Sequence, residues 1–160
     1  MDKLQCIKNK IIAPENLNAW VENQRPNIKN LVFTNGCFDI IHRGHITYLA
    51  QAADLGDKFI VALNTDASVS RLKGESRPVQ DEYTRALVMA GFEFVDYVCF
   101  FSEDTPLNVI KLILPDVLIK GGDYIIEDIV GYHAVTQAGG QVKVIEFIEG
   151  FSTSSIINSI

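Results

Sequence analysis

A chain of 160 residues, 48% hydrophobic and 21% charged, has the apolar content and the length for one compact domain with a real core. Its net charge of -6 and a pI near 5.0 argue against the basic stripe with which proteins that wrap nucleic acid neutralise phosphates, and leave room for a small anionic substrate held by a local cluster of Lys, Arg and backbone N–H groups. Three widely spaced cysteines with no Cys-x-x-Cys pair argue against a disulfide framework and a zinc site, and no apolar run suits a membrane span or a signal core, so a cytoplasmic protein without nucleic-acid or membrane partners is expected.

In chain order, the polar and charged start is followed by an amphipathic helix over 14–24, with Leu17, Trp20 and Val21 on one face. It leads into an apolar strand over 31–34, so residues 1–30 form an N-terminal helical arm and 31–160 the core of a single domain. A helix over 46–55 then precedes a strand over 58–63. The polar, basic loop Lys73-Gly74-Glu75-Ser76-Arg77-Pro78 lies between two helices, the second over 82–92. A strand over 97–101, a helix over 105–114 stopped by Pro115, and strands over 117–119 and 142–147 complete the pattern. Near-continuous apolar strands alternating with helices predict a Rossmann-like three-layer α/β/α domain around a five-stranded parallel sheet.

Ligands of such sheets bind beyond the carboxyl ends of the strands, at the point where strand order reverses. The end of the first strand reads Asn35-Gly36-Cys37-Phe38-Asp39-Ile40-Ile41-His42-Arg43-Gly44-His45, with a helix starting near Gly44. Two histidines three apart at a helix N-terminus suit a polyphosphate. The first turn offers unpaired N–H donors and a partial positive charge, and Gly36 and Gly44 let backbone approach the ligand. A zinc reading of His-x-x-His needs three or four ligands, and the chain offers only distant His133 and scattered carboxylates. No Gly-x-Gly-x-x-Gly follows the first strand and no Gly-Lys-Ser/Thr occurs, which disfavours dinucleotide-dependent hydride transfer and P-loop chemistry.

The segment Gly36-x-Phe38-Asp39-x-x-His42-x-Gly44-His45 resembles the signature of the cytidylyltransferase-like nucleotidyltransferase superfamily. Within it, Phe33–Asp39, Asn64-Thr65-Asp66-Ala67-Ser68-Val69, the stretch from Arg71 to Pro78, Lys120-Gly121-Gly122-Asp123-Tyr124 and Glu149-Gly150-Phe151-Ser152-Thr153-Ser154 are similar to the heptose 1-phosphate adenylyltransferase domains, over roughly residues 10–160. Those domains often form the C-terminal half of a bifunctional heptose kinase/adenylyltransferase, and this chain looks like a stand-alone form.

The resemblance implies transfer of AMP from ATP, with Mg2+ bridging the pyrophosphate, to D-glycero-D-manno-heptose 1-phosphate, a sugar 1-phosphate, for the lipopolysaccharide core. It implies catalytic roles for His42, His45 and Lys73 and substrate binding by Arg77. Nucleotide contacts would come from Asn35, Gly36, Cys37, Phe38, Asp39, Gly44, Arg85, Gly121, Gly122, Asp123, Ser152, Thr153 and Ser154. No metal ligand from the protein is expected; magnesium would be held mainly through phosphates. A homodimer is expected by likeness, and a separate heptose kinase is left open as a partner. Cytidylyltransferases of the superfamily carry an Arg where this chain has Phe147, which favours ATP over CTP; Phe151 and Ser155 also depart from the final motif. The rival readings are a glycerol-3-phosphate cytidylyltransferase, or another transferase of small phosphorylated substrates, and a non-catalytic nucleotide-binding module.

Overall fold

The computed structural model describes residues 2–148 and 150–159. Glu149, in the last of the strings above, lies outside them, as do Met1 and Ile160. Five strands, β1 (Leu31–Gly36), β2 (Lys58–Asn64), β3 (Tyr97–Phe101), β4 (Val117–Gly121) and β5 (Gln141–Ile145), form one parallel sheet in the order β3-β2-β1-β4-β5. Strand order therefore reverses between β1 and β4, which places a ligand crevice at their carboxyl ends.

Side chains alternate along each strand, so the sheet feeds two cores. Val32, Val61 and Ile119 point to one side, where α3 (Arg43–Ala53) and α5 (Glu82–Ala90) bury Tyr48, Leu49, Ala52, Ala86 and Met89. Phe33, Ile60 and Leu118 point to the other, against α2 (Leu17–Asn23), α6 (Leu107–Ile113) and α7 (Tyr132–Gln137), which contribute Trp20, Ile110 and Val135. Both faces are covered, as the apolar strands require.

The predicted strands and helices are all present, with shifted ends. β1 runs two residues further because Asn35 and Gly36 stay paired with Ala62 and Leu63, and α3 begins at Arg43 with His42 as its N-cap. β5 ends at Ile145, short of the predicted Phe147. α4 (Asp66–Lys73) is capped by the Thr65 hydroxyl, which accepts from the Ser68 N–H, and α5 by Asp81, which accepts from the Thr84 N–H. Two helices escape the periodicity reading. α1 (Lys3–Lys8) has no buried residue and α7 has only Val135, so neither shows an apolar stripe.

The N-terminal arm packs as part of the core. Ile11 forms a parallel bridge to Val98, protecting the edge of β3, while Ile12, Leu17 and Trp20 are buried. Trp20 packs edge-on to Tyr97 at 4.9 Å between ring centroids, and its buried indole N–H has no hydrogen-bond partner among the described residues. Trp20→Ala should therefore cost about 3 kcal/mol of stability by emptying this site, whereas Trp20→Phe keeps most of the ring, removes the unpaired donor and should cost about 1 kcal/mol or less. Urea unfolding followed by far-UV circular dichroism separates the two.

Candidate active site at the sheet switch point

The chain leaves β1 through a tight turn in which Gly36 leaves room for the Phe38 ring. A Cβ on Gly36 would lie 2.8 Å from the Phe38 ring, and Phe38 itself adopts a left-handed conformation at φ 45°. This folds the Phe38 ring over the strand end and against His45, at 5.3 Å between centroids. Thr34 and Tyr48 share a buried hydroxyl hydrogen bond, which ties the first helical turns of α3 to β1.

His42 and His45 face each other on the first turn of α3, stacked at 3.8 Å with an interplanar angle of 24°. Burial drives the His45 pKa down to about 4, with the charges of His42 and Lys73 adding to the effect and a backbone interaction with Ile40 opposing it. Burial also lowers His42. Both imidazoles are thus neutral near pH 7, each with one N–H donor and one acceptor nitrogen.

Asp39 is 2% exposed and organises the loop opposite. Its carboxylate accepts from Arg77 Nε at 2.9 Å, from the Val79 N–H at 2.8 Å and from the Gln80 N–H at 2.8 Å. Burial alone would raise its pKa, but these hydrogen bonds and the Arg77 charge outweigh burial and hold the carboxyl below the usual aspartate value. Arg77 keeps a buried Nη2 with no partner among the described residues, a spare donor beside the cleft.

These elements enclose an open cavity of about 190 Å3. Of the residues singled out from the sequence, Asn35, Gly36, Cys37, Phe38, Asp39, His45, Lys73, Arg77, Gly121 and Thr153 line it. His42 joins through its stack on His45, and Gly44 is buried in the helical turn between them. Thr153 also donates its hydroxyl to the Ile40 carbonyl, joining the C-terminal segment to the histidine turn.

Arg85 has a different place from the phosphate contact expected of it. It is fully buried and outside the cavity lining, and it donates to the carbonyls of Gln80 and Cys37 and to Asp66 Oδ1 at 2.8 Å. A guanidinium in that position is a positioning group, because it fastens the turn after β1 to the segment entering α5. Gly122, Asp123, Ser152 and Ser154 do not line the cavity either. Asp123 is exposed beyond a Gly122 held at φ 113°, and Ser152 serves as N-cap of α8 (Thr153–Ile157), accepting from the Ser155 N–H.

Four lining residues were not singled out as contacts: Tyr48, Lys120, Tyr124 and Phe147. Tyr48 was legible only as a helix position, while Phe147 was read as a departure bearing on the choice of nucleotide and not as a wall of the cleft. Lys120 carried a signal, since a lysine ending an otherwise apolar strand at the switch point places a cation where ligands bind. Phe147 lies so close over β4 that a Cβ on Gly121 would sit 2.4 Å from its ring.

Among the described residues no three His, Cys, Asp or Glu side chains are grouped to hold a metal ion, and the oxygens of Asp39 are already engaged by the 77–80 segment. No described helix is long and apolar enough to cross a membrane.

Comparison with known proteins agrees with this geometry. A family model described as "Cytidylyltransferase-like" matches residues 33–159. "Bifunctional protein HldE" of Marinomonas sp. is 52% identical over 92% of this chain, which covers 31% of that protein, and its counterpart in Citrifermentans bemidjiense is 55% identical over 82% of this chain and 27% of its own length. The chain thus spans about a third of the length of the curated relatives it matches. Among solved structures, the "lipopolysaccharide core biosynthesis protein" of Thermoplasma volcanium superposes with a TM-score of 0.61 at 28% identity, covering 74% of this chain and 96% of that one. Pantoate-beta-alanine ligase of Francisella tularensis, at 12% identity and a TM-score of 0.63 over 93% of this chain and 76% of its own, shares the fold.

The depressed His45 pKa has a measurable sign. Its folded value, about 4, lies below the ordinary histidine value of 6.5, so between these pH values the unfolded chain binds a proton that the native site resists. Stability should therefore fall as pH drops from 6.5 toward 4, and His45→Gln should flatten that slope in urea titrations run across the range. Removing the buried guanidinium with Arg85→Ala leaves the carbonyls of Cys37 and Gln80 without their donor and should cost about 3 kcal/mol in the same assay.

Proposed function

This chain belongs to the cytidylyltransferase-like family, and on that premise we propose that it transfers AMP from ATP to D-glycero-D-manno-heptose 1-phosphate, releasing pyrophosphate. The observation that carries the reading is the stacked His42–His45 pair on the first turn of α3, facing a cleft lined by Lys73, Arg77 and Lys120 in a chain of net charge -6. Such a concentration of donors and cations at a helix N-terminus suits a triphosphate.

The chemistry needs no covalent enzyme intermediate. An oxygen of the sugar 1-phosphate attacks the α-phosphorus of ATP in line, the bond from that phosphorus to the β-phosphate oxygen breaks, and pyrophosphate carries away the electron pair. The protein's part is placement and charge stabilisation. His42 and His45 donate to the α-phosphate and the leaving group, assisted by the free N–H groups of α3, and Lys73 and the spare Arg77 Nη2 approach from the opposite wall. Magnesium would supply charge neutralisation of the triphosphate, and since no described cluster of carboxylates would hold it, it would be bound mainly through the substrate.

Phe147 occupies the position where cytidylyltransferases place an Arg, and its ring against Tyr48 and Gly121 offers an apolar surface instead of a cation, which supports ATP over CTP. The name of the Thermoplasma volcanium protein supports a role in lipopolysaccharide core synthesis. In this reading the reaction is cytoplasmic, residues 31–160 carry the chemistry and the arm braces β3; a homodimer and a separate heptose kinase belong to the same proposal.

Pyrophosphate release with ATP or CTP against heptose 1-phosphate or glycerol 3-phosphate tests it. Release confined to ATP with heptose 1-phosphate is the expected result, and release confined to CTP with glycerol 3-phosphate overturns the substrate assignment. His42→Ala and His45→Ala should each lower kcat by about a hundredfold or more in a folded protein, the scale of one lost charge-stabilising donor.

A further inference from the structure

Arg43 stands where a helix least favours a cation. It is the first residue of α3, at the positive end of the helix dipole, where acidic or neutral side chains are the stabilising ones. It is also outside the set of residues that line the histidine cleft. Its guanidinium lies instead over the ring of Phe151, 4.0 Å from the centroid. Phe151 is one of the residues at which the final motif departs from the family pattern, so the pair is a feature of this chain's own sequence.

The Phe151 ring has a second neighbour in His42, at 6.3 Å between centroids and an interplanar angle of 33°, within the range of an aromatic pair. His42 therefore lies among two rings, His45 at 3.8 Å and Phe151. The packing is close at Gly44 as well, where an added Cβ would lie 3.0 Å from His42 Nδ1 and 3.4 Å from Phe151 Cβ. Two residues further on, the Thr153 hydroxyl donates to the Ile40 carbonyl at 3.1 Å. The segment 151–153 thus meets the histidine turn at residues 40, 42, 43 and 44. The helix α8 that follows has five residues, none of them fully buried, so these contacts carry much of the docking.

His42 needs support of this kind. A catalytic histidine is commonly oriented by a hydrogen bond to its other ring nitrogen, but the buried Nδ1 of His42 has no such partner among the described residues. Packing is left to set the plane of the imidazole. Resting on the reading of the preceding subsection, in which His42 donates to the reacting phosphates, we infer that Arg43 and Phe151 are a positioning pair. The guanidinium holds the ring against the histidine turn, and the ring holds the imidazole at the angle from which it donates. Arginine suits the task because its planar group stacks on an aromatic face, which an ammonium cannot do. Placement of this order matters to rate, since a displacement of about 1 Å can cost about a hundredfold.

Steady-state pyrophosphate release, calorimetric ATP binding and NMR of the His42 imidazole, all on the full chain, test the pair together. Phe151→Leu should lower kcat by about tenfold or more while changing ATP affinity by less than about threefold, and Phe151→Tyr, which keeps the ring, should stay within about twofold of wild type in kcat. Arg43→Gln should lower kcat by about threefold, the scale of an exposed cation–π contact, but by less than about 1.5-fold when Phe151→Leu is already present. Arg43→Lys should recover part of the loss. The carbon-bound proton resonances of His42 should move in Phe151→Leu and in Arg43→Gln and stay near their native positions in Phe151→Tyr. Arg43→Gln, at an exposed position, also keeps the test open if Phe151→Leu fails to fold.

Unchanged kcat in Phe151→Leu would overturn the inference. So would an Arg43→Gln loss of equal size with and without Phe151→Leu, which would make Arg43 act by charge alone, and so would ATP affinity lost in step with kcat, which would make the segment a nucleotide clamp. If the wild-type chain releases no pyrophosphate with any substrate pair, the proposed reaction fails and the His42 resonances still decide: movement in Phe151→Leu and Arg43→Gln but not in Phe151→Tyr sustains the pair, and no movement overturns it.

Discussion

The site depends on two buried charges of opposite sign that bind the same two stretches of chain. Asp39, in the turn after β1, accepts from Arg77 and from the N–H groups of Val79 and Gln80; Arg85, from α5, donates to the carbonyls of Cys37 and Gln80. The residues 37–39 and 77–80 are thus held together by main-chain hydrogen bonds to ionised groups, the stronger kind. Neither stretch has a regular partner of its own, and a loop without one would carry unsatisfied polar groups into a partly buried region. The arrangement fixes the separation between the histidine turn on one wall and Arg77 on the other, and with it the width of the cleft.

That dependence explains what could be read from the chain and what could not. The five strands declare themselves because their apolar runs are short, β-branched and bounded by turn residues, and the switch point follows from alternation with helices. The histidine turn was legible because two donors at a helix start, preceded by glycine and an apolar strand, have few structural uses. Arg85 was not, since an arginine on a helix reads the same in sequence whether it faces phosphate or is spent on Cys37 and Gln80; only burial tells them apart. Lys120 was passed over for the opposite reason. It lies near the end of a strand whose other residues are core, and its lack of an ion pair among the described residues is visible only once Asp128 and Tyr124 are placed beside it. Phe147 falls past the end of β5, where periodicity gives no direction to a side chain.

The charges of the cleft are mostly of one sign. Lys73, Arg77 and Lys120 converge from the end of α4, the 77–80 loop and the end of β4, and among the described residues only Arg77 has a carboxylate partner. Like charges gathered around one partly enclosed space repel, and they do so more strongly there than in bulk water. Burial lowers the pKa of both histidines, and at His45 the charge of Lys73 adds to it. On the reading proposed above, a polyphosphate would offset the repulsion among the cations, accept from both imidazoles, and by its own charge raise their affinity for protons. On that same proposed reading, binding at neutral pH would favour proton uptake at the histidine pair, and charge on a reacting phosphorus would be stabilised by groups that carry no charge or no partner among the described residues.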